Sequence, residues 1–181
     1  DVAFLGLDEK VIIDVEVPSL IKFEMDSDFG ALGTGKLILE GVGFDLTLRR
    51  ADISGTVMGI LTDNRGGRLL VEDSTIENTG LAPGRTDLGH GLYAGKIDEL
   101  IVRRTTIRNV NHDGHILKSR AGSTLVENTK LLGEDGFFSR SIDLSCGGSL
   151  TMKDSIIQHG QNTDNPDIIA VGTEAGGCGE I

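Results

Sequence analysis

The chain has 181 residues, enough for one domain, and a net charge of −11 from 28 acidic and 17 basic residues. This charge excludes a broad nucleic-acid surface, and no apolar run approaches the roughly 20 residues of a membrane span. Gly is abundant at 26 residues, Pro is rare at 3 and aromatic residues make up 4%, so we expect tight turns and a core of Val, Ile and Leu.

The opening segment has the apolar pattern of short strands, which we expect to form less regular coils than those that follow. Residues 11, 13, 15 and 17 are all apolar within Val11–Val17, and a second apolar run covers Leu37–Leu39. We interpret residues 1–34 as irregular first coils or a cap and residues 35–177 as regular coils. Together they form a single β-helix domain over residues 1–181.

A short phrase then recurs five times and organises the chain. Each copy has an apolar or Thr residue, a Val-like residue two positions later, a small residue that we expect to turn the chain, and a final inward Ile or Leu. The Val-like positions 48, 71, 102, 126 and 152 lie 23, 31, 24 and 26 residues apart, and residues 81–89 are interpreted as a loop inserted into the longest repeat. A period in the low twenties predicts an all-β solenoid, a right-handed parallel β-helix.

A second predicted strand follows each phrase, so each coil has about three short strands. A leucine-rich repeat is disfavoured because its fixed Leu and Asn pattern is missing and no segment is cleanly amphipathic as a helix. Glycine pairs supply corners that need a positive φ. These second strands are predicted at residues 59–62, 91–94, 115–118, 141–144 and 168–171, with glycine pairs at 66–67, 147–148 and 176–177.

The charges along the coils support this stacking register of the repeats. The residue after the Val-like position alternates in sign, and stacked coils place these residues side by side. A neighbouring outward position is apolar in three coils, and we expect this stripe or an open coil edge to support a homo-oligomer. The alternating row is Arg49, Glu72, Arg103, Glu127 and Lys153, and the stripe is Leu70, Ile101 and Leu125.

The sequence also resembles bacterial right-handed parallel β-helix repeat proteins of the pectin-lyase-like superfamily. The resemblance runs in order over about residues 40–177 and is carried by segments such as His90–Tyr93, Gly114–Ala121 and Ser141–Leu144. It implies a secreted, periplasmic or cell-surface protein that binds a polysaccharide. Relatives include lyases, hydrolases and uronate epimerases, so cleavage or epimerisation by proton abstraction is one expectation. A non-catalytic surface, adhesive or assembly protein is the alternative.

The densest chemistry lies around the second strands. Lys118 and Arg120 are candidates to hold a uronate carboxylate, His115 or Tyr93 to act as base or acid, and Asp143 to orient one of them. His115 and Lys118 are three residues apart, so they share a face only if the strand bends or ends between them. The predicted substrate-binding residues are His90, Glu174 and Asn64.

Metal binding is the weaker interpretation of the polar residues. His112–His115 with Asp143 resembles half of a metal site, although such a string is more often a solvated turn. Asp63, Asp87 and Asp143 are candidate ligands of a calcium ion. The simpler interpretation is that they are ordinary surface carboxylates of an acidic protein. We otherwise expect no cofactor.

Several polar residues have a structural interpretation. Asn78 and Asn109 align in register as a side-chain pair near a corner. Cys146 and Cys178 have no metal-ligand spacing, so a disulfide and two buried thiols both fit. A hydroxyl stack is expected from Ser74, Thr105, Thr129 and Ser155.

Overall fold

The computed structural model is an all-β solenoid of about five turns, with three parallel sheets and three strands per coil. It describes residues 45–62, 65–80 and 89–178, apart from the side chain of Ala175, and the backbone of three earlier strands. No helix in these residues is long and apolar enough to span a membrane. The predicted parallel coils are therefore confirmed, while the extent of the single domain over residues 1–181 stays a prediction.

Each coil contributes one strand to each sheet. The first sheet contains β2 (Val11–Asp14), β4 (Asp45–Arg49), β7 (Arg68–Glu72), β10 (Glu99–Arg103), β13 (Ser123–Glu127) and β16 (Ser149–Lys153). The second contains β5 (Asp52–Ser54), β8 (Thr75–Thr79), β11 (Thr106–Val110), β14 (Lys130–Leu132) and β17 (Ile156–Gln158). The third contains β1 (Phe4–Leu5), β3 (Leu37–Glu40), β6 (Ile60–Thr62), β9 (Leu92–Ala94), β12 (Leu117–Ser119), β15 (Ile142–Leu144) and β18 (Ile169–Val171).

The core is a set of aliphatic columns that run along the solenoid. Alternation along each strand sends every second side chain inwards, and parallel register stacks those side chains on the same position of the next coil. Phe138 is the exception to the aliphatic composition, since it is a fully buried aromatic side chain. One such column is Leu48, Val71, Val102 and Val126, all at most 1% exposed.

The corner between the first and second sheets uses a left-handed residue in every coil. We expected the small residue of the repeated phrase to turn the chain, but the residue before it has the positive φ, near 50°. The small residue instead satisfies the backbone, because its hydroxyl accepts the N–H of the equivalent residue one coil earlier. The left-handed residues are Arg50, Asp73, Arg104, Asn128 and Asp154.

The predicted polar stacks are otherwise confirmed. Ser74, Thr105, Thr129 and Ser155 form the hydroxyl stack, with hydroxyls that also donate to carbonyls two residues earlier. The Asn109 amide donates to the Asn78 side-chain oxygen. Gly66, Gly67, Gly147 and Gly148 have positive φ, but Gly176 and Gly177 lie in a short 3-10 helix, Ala175–Gly177, and do not.

The apolar stripe aligns in register but is less open than its sequence indicates. Leu70, Ile101 and Leu125 are direct neighbours on β7, β10 and β13. Leu70 is buried and the other two are half-buried. None of them is a large exposed apolar side chain.

The alternating charges form the predicted row along the first sheet. Arg49, Glu72, Arg103, Glu127 and Lys153 are direct neighbours on β4, β7, β10, β13 and β16. Glu72 is the centre of the strongest contacts, since it binds Arg49, Arg103 at 2.6 Å and Arg104 at 2.9 Å. Burial alone would raise the pKa of Glu72, but the guanidinium groups of Arg103 and Arg49 hold it below the ordinary value of 4.5.

Replacing Glu72 with Ala is expected to lower the free energy of unfolding by about 1–2 kcal/mol at neutral pH. The carboxylate is buried and compensates three arginines, so its removal leaves Arg49 and Arg103 without an ion-pair partner among the described residues, while Arg104 keeps Asp73. Urea unfolding followed by circular dichroism measures the change.

Glu127→Ala is the matched control for Glu72→Ala. Glu127 lies two coils further along the same row, is half-buried and forms no ion pair among the described residues. We expect its loss to change the stability by less than about 0.5 kcal/mol. Equal losses for the two variants would contradict a special role for Glu72.

Candidate functional site: a cationic cleft beside Tyr93

The third sheet brings three of the predicted site residues into one row. Tyr93 on β9, Lys118 on β12 and Asp143 on β15 are direct register neighbours in successive coils. Lys118 and Asp143 are 5% and 2% exposed, whereas Tyr93 is half-buried. These predicted site residues therefore do lie together, but Lys118 and Asp143 are buried beneath other groups.

Two histidines form a second column beside this row. His90 and His115 each lie two residues before a strand of the third sheet, and their rings stack with centroids 5.1 Å apart. The His115 N–H donates to His90 Nδ1 at 2.9 Å, and the Arg140 N–H donates to His115 Nδ1 at 3.2 Å. Each imidazole therefore accepts a backbone hydrogen bond from the next coil.

This column fixes the tautomer of His115. Since Nδ1 accepts a hydrogen bond, the neutral ring carries its proton on Nε2, which lies 3.1 Å from Asp143 Oδ2. β12 begins at Leu117, so His115 precedes the strand and shares a side with Lys118. Asp143 orients His115 as predicted, but both ring nitrogens are occupied by protein groups.

Opposing effects set the ionisation of Asp143. Its burial would raise the pKa, whereas hydrogen bonds from His115 and from Thr173, at 2.8 Å, hold the pKa below the ordinary value of 3.8. The positive charge of Lys118 acts in the same direction. Asp143 is therefore a carboxylate near neutral pH and stabilises the donors around it.

A C-terminal strap, residues 172–178, crosses the row. The disulfide between Cys146 and Cys178 anchors its end, which answers the question that the cysteine spacing left open. Glu174 of the strap binds Lys118 Nζ at 2.7 Å and also the Arg120 guanidinium. Burial tends to raise the pKa of Glu174, but these two cations hold it below the ordinary value of 4.5.

Tyr93 lies among cations and imidazole. Lys118 Nζ and Arg120 Cζ are 5.1 and 5.3 Å from its ring centroid, within the range of cation–π attraction. The His90 ring packs against it in a T-shaped arrangement, with centroids 5.2 Å apart. Tyr93 therefore lies between the buried row and the surface next to Arg120.

That surface is a cleft of about 240 Å³ at the ends of β6, β9 and β12. Three of its lining side chains are cations and none is acidic, although the chain carries a net charge of −11. The buried Nε donor of Arg120 has no hydrogen-bond partner in the described part of the chain. The cleft is lined by Leu61, Thr62, Arg65, Tyr93, Gly95, Lys96, Arg120 and Gly177.

Two of the three cations were not among the predicted site residues. Arg65 and Lys96 follow β6 and β9, form a bridge between adjacent coils and make no ion pair with any described residue. The signal that identifies them is positional, because a basic residue follows the third-sheet strand in three successive coils. Arg120 is the third member of that series.

The remaining predicted residues lie elsewhere. Asn64, and the calcium candidates Asp63 and Asp87, fall outside the described residues. His112 and Asp113 are exposed corner residues with positive φ, while Asp143 is occupied by His115 and Thr173. Within the described residues, no group of three or more His, Cys, Asp or Glu side chains has the arrangement of a metal site.

Comparison with protein-family profiles, curated proteins and solved structures gave no match. A cleft with three cations, two of them without an ion pair to any described residue, and an aromatic ring can bind an anion attached to a ring-shaped ligand.

Proposed function

We propose that this chain binds an acidic polysaccharide, a polyuronate, at the cleft beside Tyr93. The observation that carries the proposal is the set of three cations, Arg65, Lys96 and Arg120, in a cleft with no acidic lining residue. The chain as a whole is acidic and therefore repels a densely charged polyanion such as nucleic acid. A polyanion of lower charge density, such as a polyuronate, suits a local group of three cations better.

Glu174 shows how side chains next to the cleft bind a carboxylate. Its carboxylate is held between Lys118 and Arg120, a two-cation arrangement that suits a uronate carboxylate equally well. The adjacent Arg65 and Lys96 have no such partner among the described residues. A ligand carboxylate in the cleft would therefore meet two donors that no described carboxylate occupies.

The ring of Tyr93 favours a sugar over a simple inorganic anion. Aromatic rings offer an apolar face and a polar edge, which match the alternating faces of a pyranose. The cleft is smaller than the roughly 300 Å³ at which drug-sized pockets begin, so it fits one or two sugar units of a longer chain. The resemblance to pectin-lyase-like proteins is a second support for a polysaccharide.

The two histidines favour binding of the polysaccharide without cleavage. β-Elimination and epimerisation both need a base at C5 of the uronate. Both ring nitrogens of His115 are occupied, and His90 is buried with its Nδ1 engaged. We therefore propose a non-catalytic binding protein and assign Lys118, His115 and Asp143 to the support of the site.

The disulfide supports a location outside the cytoplasm. Cys146 and Cys178 are bonded, and disulfides persist in secreted, periplasmic and cell-surface proteins. An extracellular location also gives access to polysaccharide. We propose that the chain works there.

Titration calorimetry with polygalacturonate is expected to show binding that the Arg65→Ala, Lys96→Ala double variant weakens about tenfold or more. The loss follows from removing two charged donors of the cleft. Fully methyl-esterified polymer, which has no free carboxylates, is expected not to bind. The affinity for the acidic polymer should also fall with added salt.

A control variant separates the cleft from net charge. Arg68→Ala with Lys130→Ala removes the same number of positive charges from β7 and β14, at two positions that do not line the cleft. It is expected to bind as the wild type does. The proposal is overturned if both double variants bind alike, if no polyuronate binds, or if unsaturated uronides accumulate during the titration.

A further inference from the structure

Lys118 is a buried cation whose only ion-pair partner among the described residues is Glu174. The Lys118 side chain is 6% exposed, and its Nζ lies 2.7 Å from Glu174 Oε1. The carboxylate of its register neighbour Asp143 is already bound to His115 and Thr173. A buried ammonium group without a counter-ion is strongly unfavourable, so this position requires an anion beside Lys118.

The carboxylate that fills this position comes from a segment outside the repeat. Glu174 belongs to the strap, residues 172–178, and its side chain is 38% exposed. Its Oε1 contacts Lys118 and its Oε2 contacts the guanidinium of Arg120. One oxygen on each of two cations is the arrangement that a carboxylate of a bound ligand would adopt there.

These two cations are continuous with the cleft. Arg120 both lines the cleft and binds Glu174. The ring centroid of Tyr93, another lining residue, lies 5.1 Å from Lys118 Nζ and 5.3 Å from Arg120 Cζ. Gly177 of the strap also lines the cleft, so the strap forms part of its wall. The cleft and the position of the Glu174 carboxylate therefore share Arg120 and Tyr93.

We propose that Glu174 occupies a second carboxylate subsite of the cleft and competes with the polysaccharide for Lys118 and Arg120. This second subsite presupposes the uronate binding proposed for the cleft and adds an autoinhibitory contact to it. Polyuronates carry a carboxylate on every sugar unit, so a chain with one carboxylate in the cleft has another to offer at a neighbouring subsite. In the structure, the protein's own carboxylate holds that subsite closed.

The strap makes Glu174 an effective competitor. The Glu174 N–H donates to the Ser145 carbonyl at 2.8 Å, and the disulfide between Cys178 and Cys146 anchors the strap four residues further on. These two anchors keep the Glu174 carboxylate beside the cations at a high effective concentration. A ligand carboxylate has to displace it, so binding to the wild type is weaker than the two cations alone would allow.

Glu174→Gln is expected to tighten the binding of trigalacturonate about three- to tenfold in titration calorimetry. The amide keeps the size of the side chain but removes the negative charge that competes for Lys118 and Arg120. Fluorescence of Tyr93 gives a second measurement at the site itself, because it is the only tyrosine of the chain and there is no tryptophan. A purely structural role of Glu174 predicts unchanged or weaker binding, and that result overturns the proposal.

Glu127→Gln is the matched control for charge. It also converts one carboxylate to an amide, but Glu127 lies on β13 and forms no ion pair with any described residue. This variant is expected to bind trigalacturonate as the wild type does. Equal tightening by the two variants would make net charge the cause and would contradict competition at the cleft.

Lys118→Met distinguishes a second subsite from a general loosening of the strap. Met keeps an unbranched side chain but carries no charge. In the Lys118→Met background, Glu174→Gln is expected to tighten binding by less than about twofold, because one of the two cations of the subsite is gone. A gain of full size without Lys118 overturns the second subsite.

The same titrations separate failure of the second subsite from failure of the uronate cleft. A wild type that binds trigalacturonate, with a Glu174→Gln variant that binds it no tighter, overturns the subsite and leaves the cleft as proposed. The absence of binding by both proteins, with unchanged circular dichroism, overturns both proposals.

Discussion

Replacing Phe138 with Ala is expected to lower the free energy of unfolding by about 3–5 kcal/mol. Phe138 is fully buried in a core that is otherwise aliphatic, and its ring meets the His159 ring edge to face at 5.5 Å. A Cβ on Gly133 would approach the ring to 2.6 Å, so the surrounding backbone is already close to it. The neighbouring coils cannot collapse into the space without losing strand register. Urea unfolding monitored by circular dichroism measures the loss.

The adjacent residue provides the control. Phe137 is 46% exposed, so Phe137→Ala is expected to change the stability by less than about 0.5 kcal/mol. The two variants remove the same atoms from neighbouring positions and differ only in burial. Losses of similar size would contradict the assignment of Phe138 to the core.

Acid is expected to destabilise the protein through His90 before its carboxylates titrate. Burial is the main reason that the pKa of His90 falls from 6.5 to about 3, and the nearby His115, Lys118 and Arg120 lower it further. Asp143 opposes this shift but does not cancel it. His90 therefore stays neutral in the folded chain while the unfolded chain takes up the proton.

The direction of the pH effect follows from this difference. Below pH 6.5 the unfolded state binds more protons than the folded state, so the free energy of unfolding falls as the pH falls. The slope approaches about 1.4 kcal/mol per pH unit, and it persists until the folded chain also binds the proton at His90. Urea unfolding between pH 7 and about pH 5 measures this slope above the range in which the buried carboxylates titrate, and a variant at position 90 separates His90 from the other histidines.

His90→Asn is expected to flatten this dependence. The Asn side-chain oxygen can accept the His115 N–H in place of Nδ1, but it does not titrate. His112→Asn, a change at an exposed histidine, should leave the slope as it is in the wild type. A wild-type slope that survives in His90→Asn would show that another group is responsible.

Most of the fold could be predicted because a solenoid repeats its contacts. The alternating charges from Arg49 to Lys153 and the hydroxyl stack depend on positions that recur in every coil, so a period read from the sequence also gives their spatial neighbours. The left-handed corner was missed because it is occupied by five residues of mixed type, among them Arg50 and Asn128.

The site was only partly predictable for the opposite reason. Tyr93, Lys118 and Asp143 share one register position, which the period gives directly. Burial of Lys118 depends on the strap that carries Glu174, and nothing in the repeat predicts where a non-repeating segment packs. Arg65 and Lys96 were passed over because they follow the strands rather than lie in them.

A crystal structure with a short oligogalacturonate would show whether the cleft beside Tyr93 receives a uronate. We expect sugar density against the Tyr93 ring, with a carboxylate in contact with at least two of Arg65, Lys96 and Arg120. An oligosaccharide bound on another face of the solenoid, with this cleft empty, would contradict it.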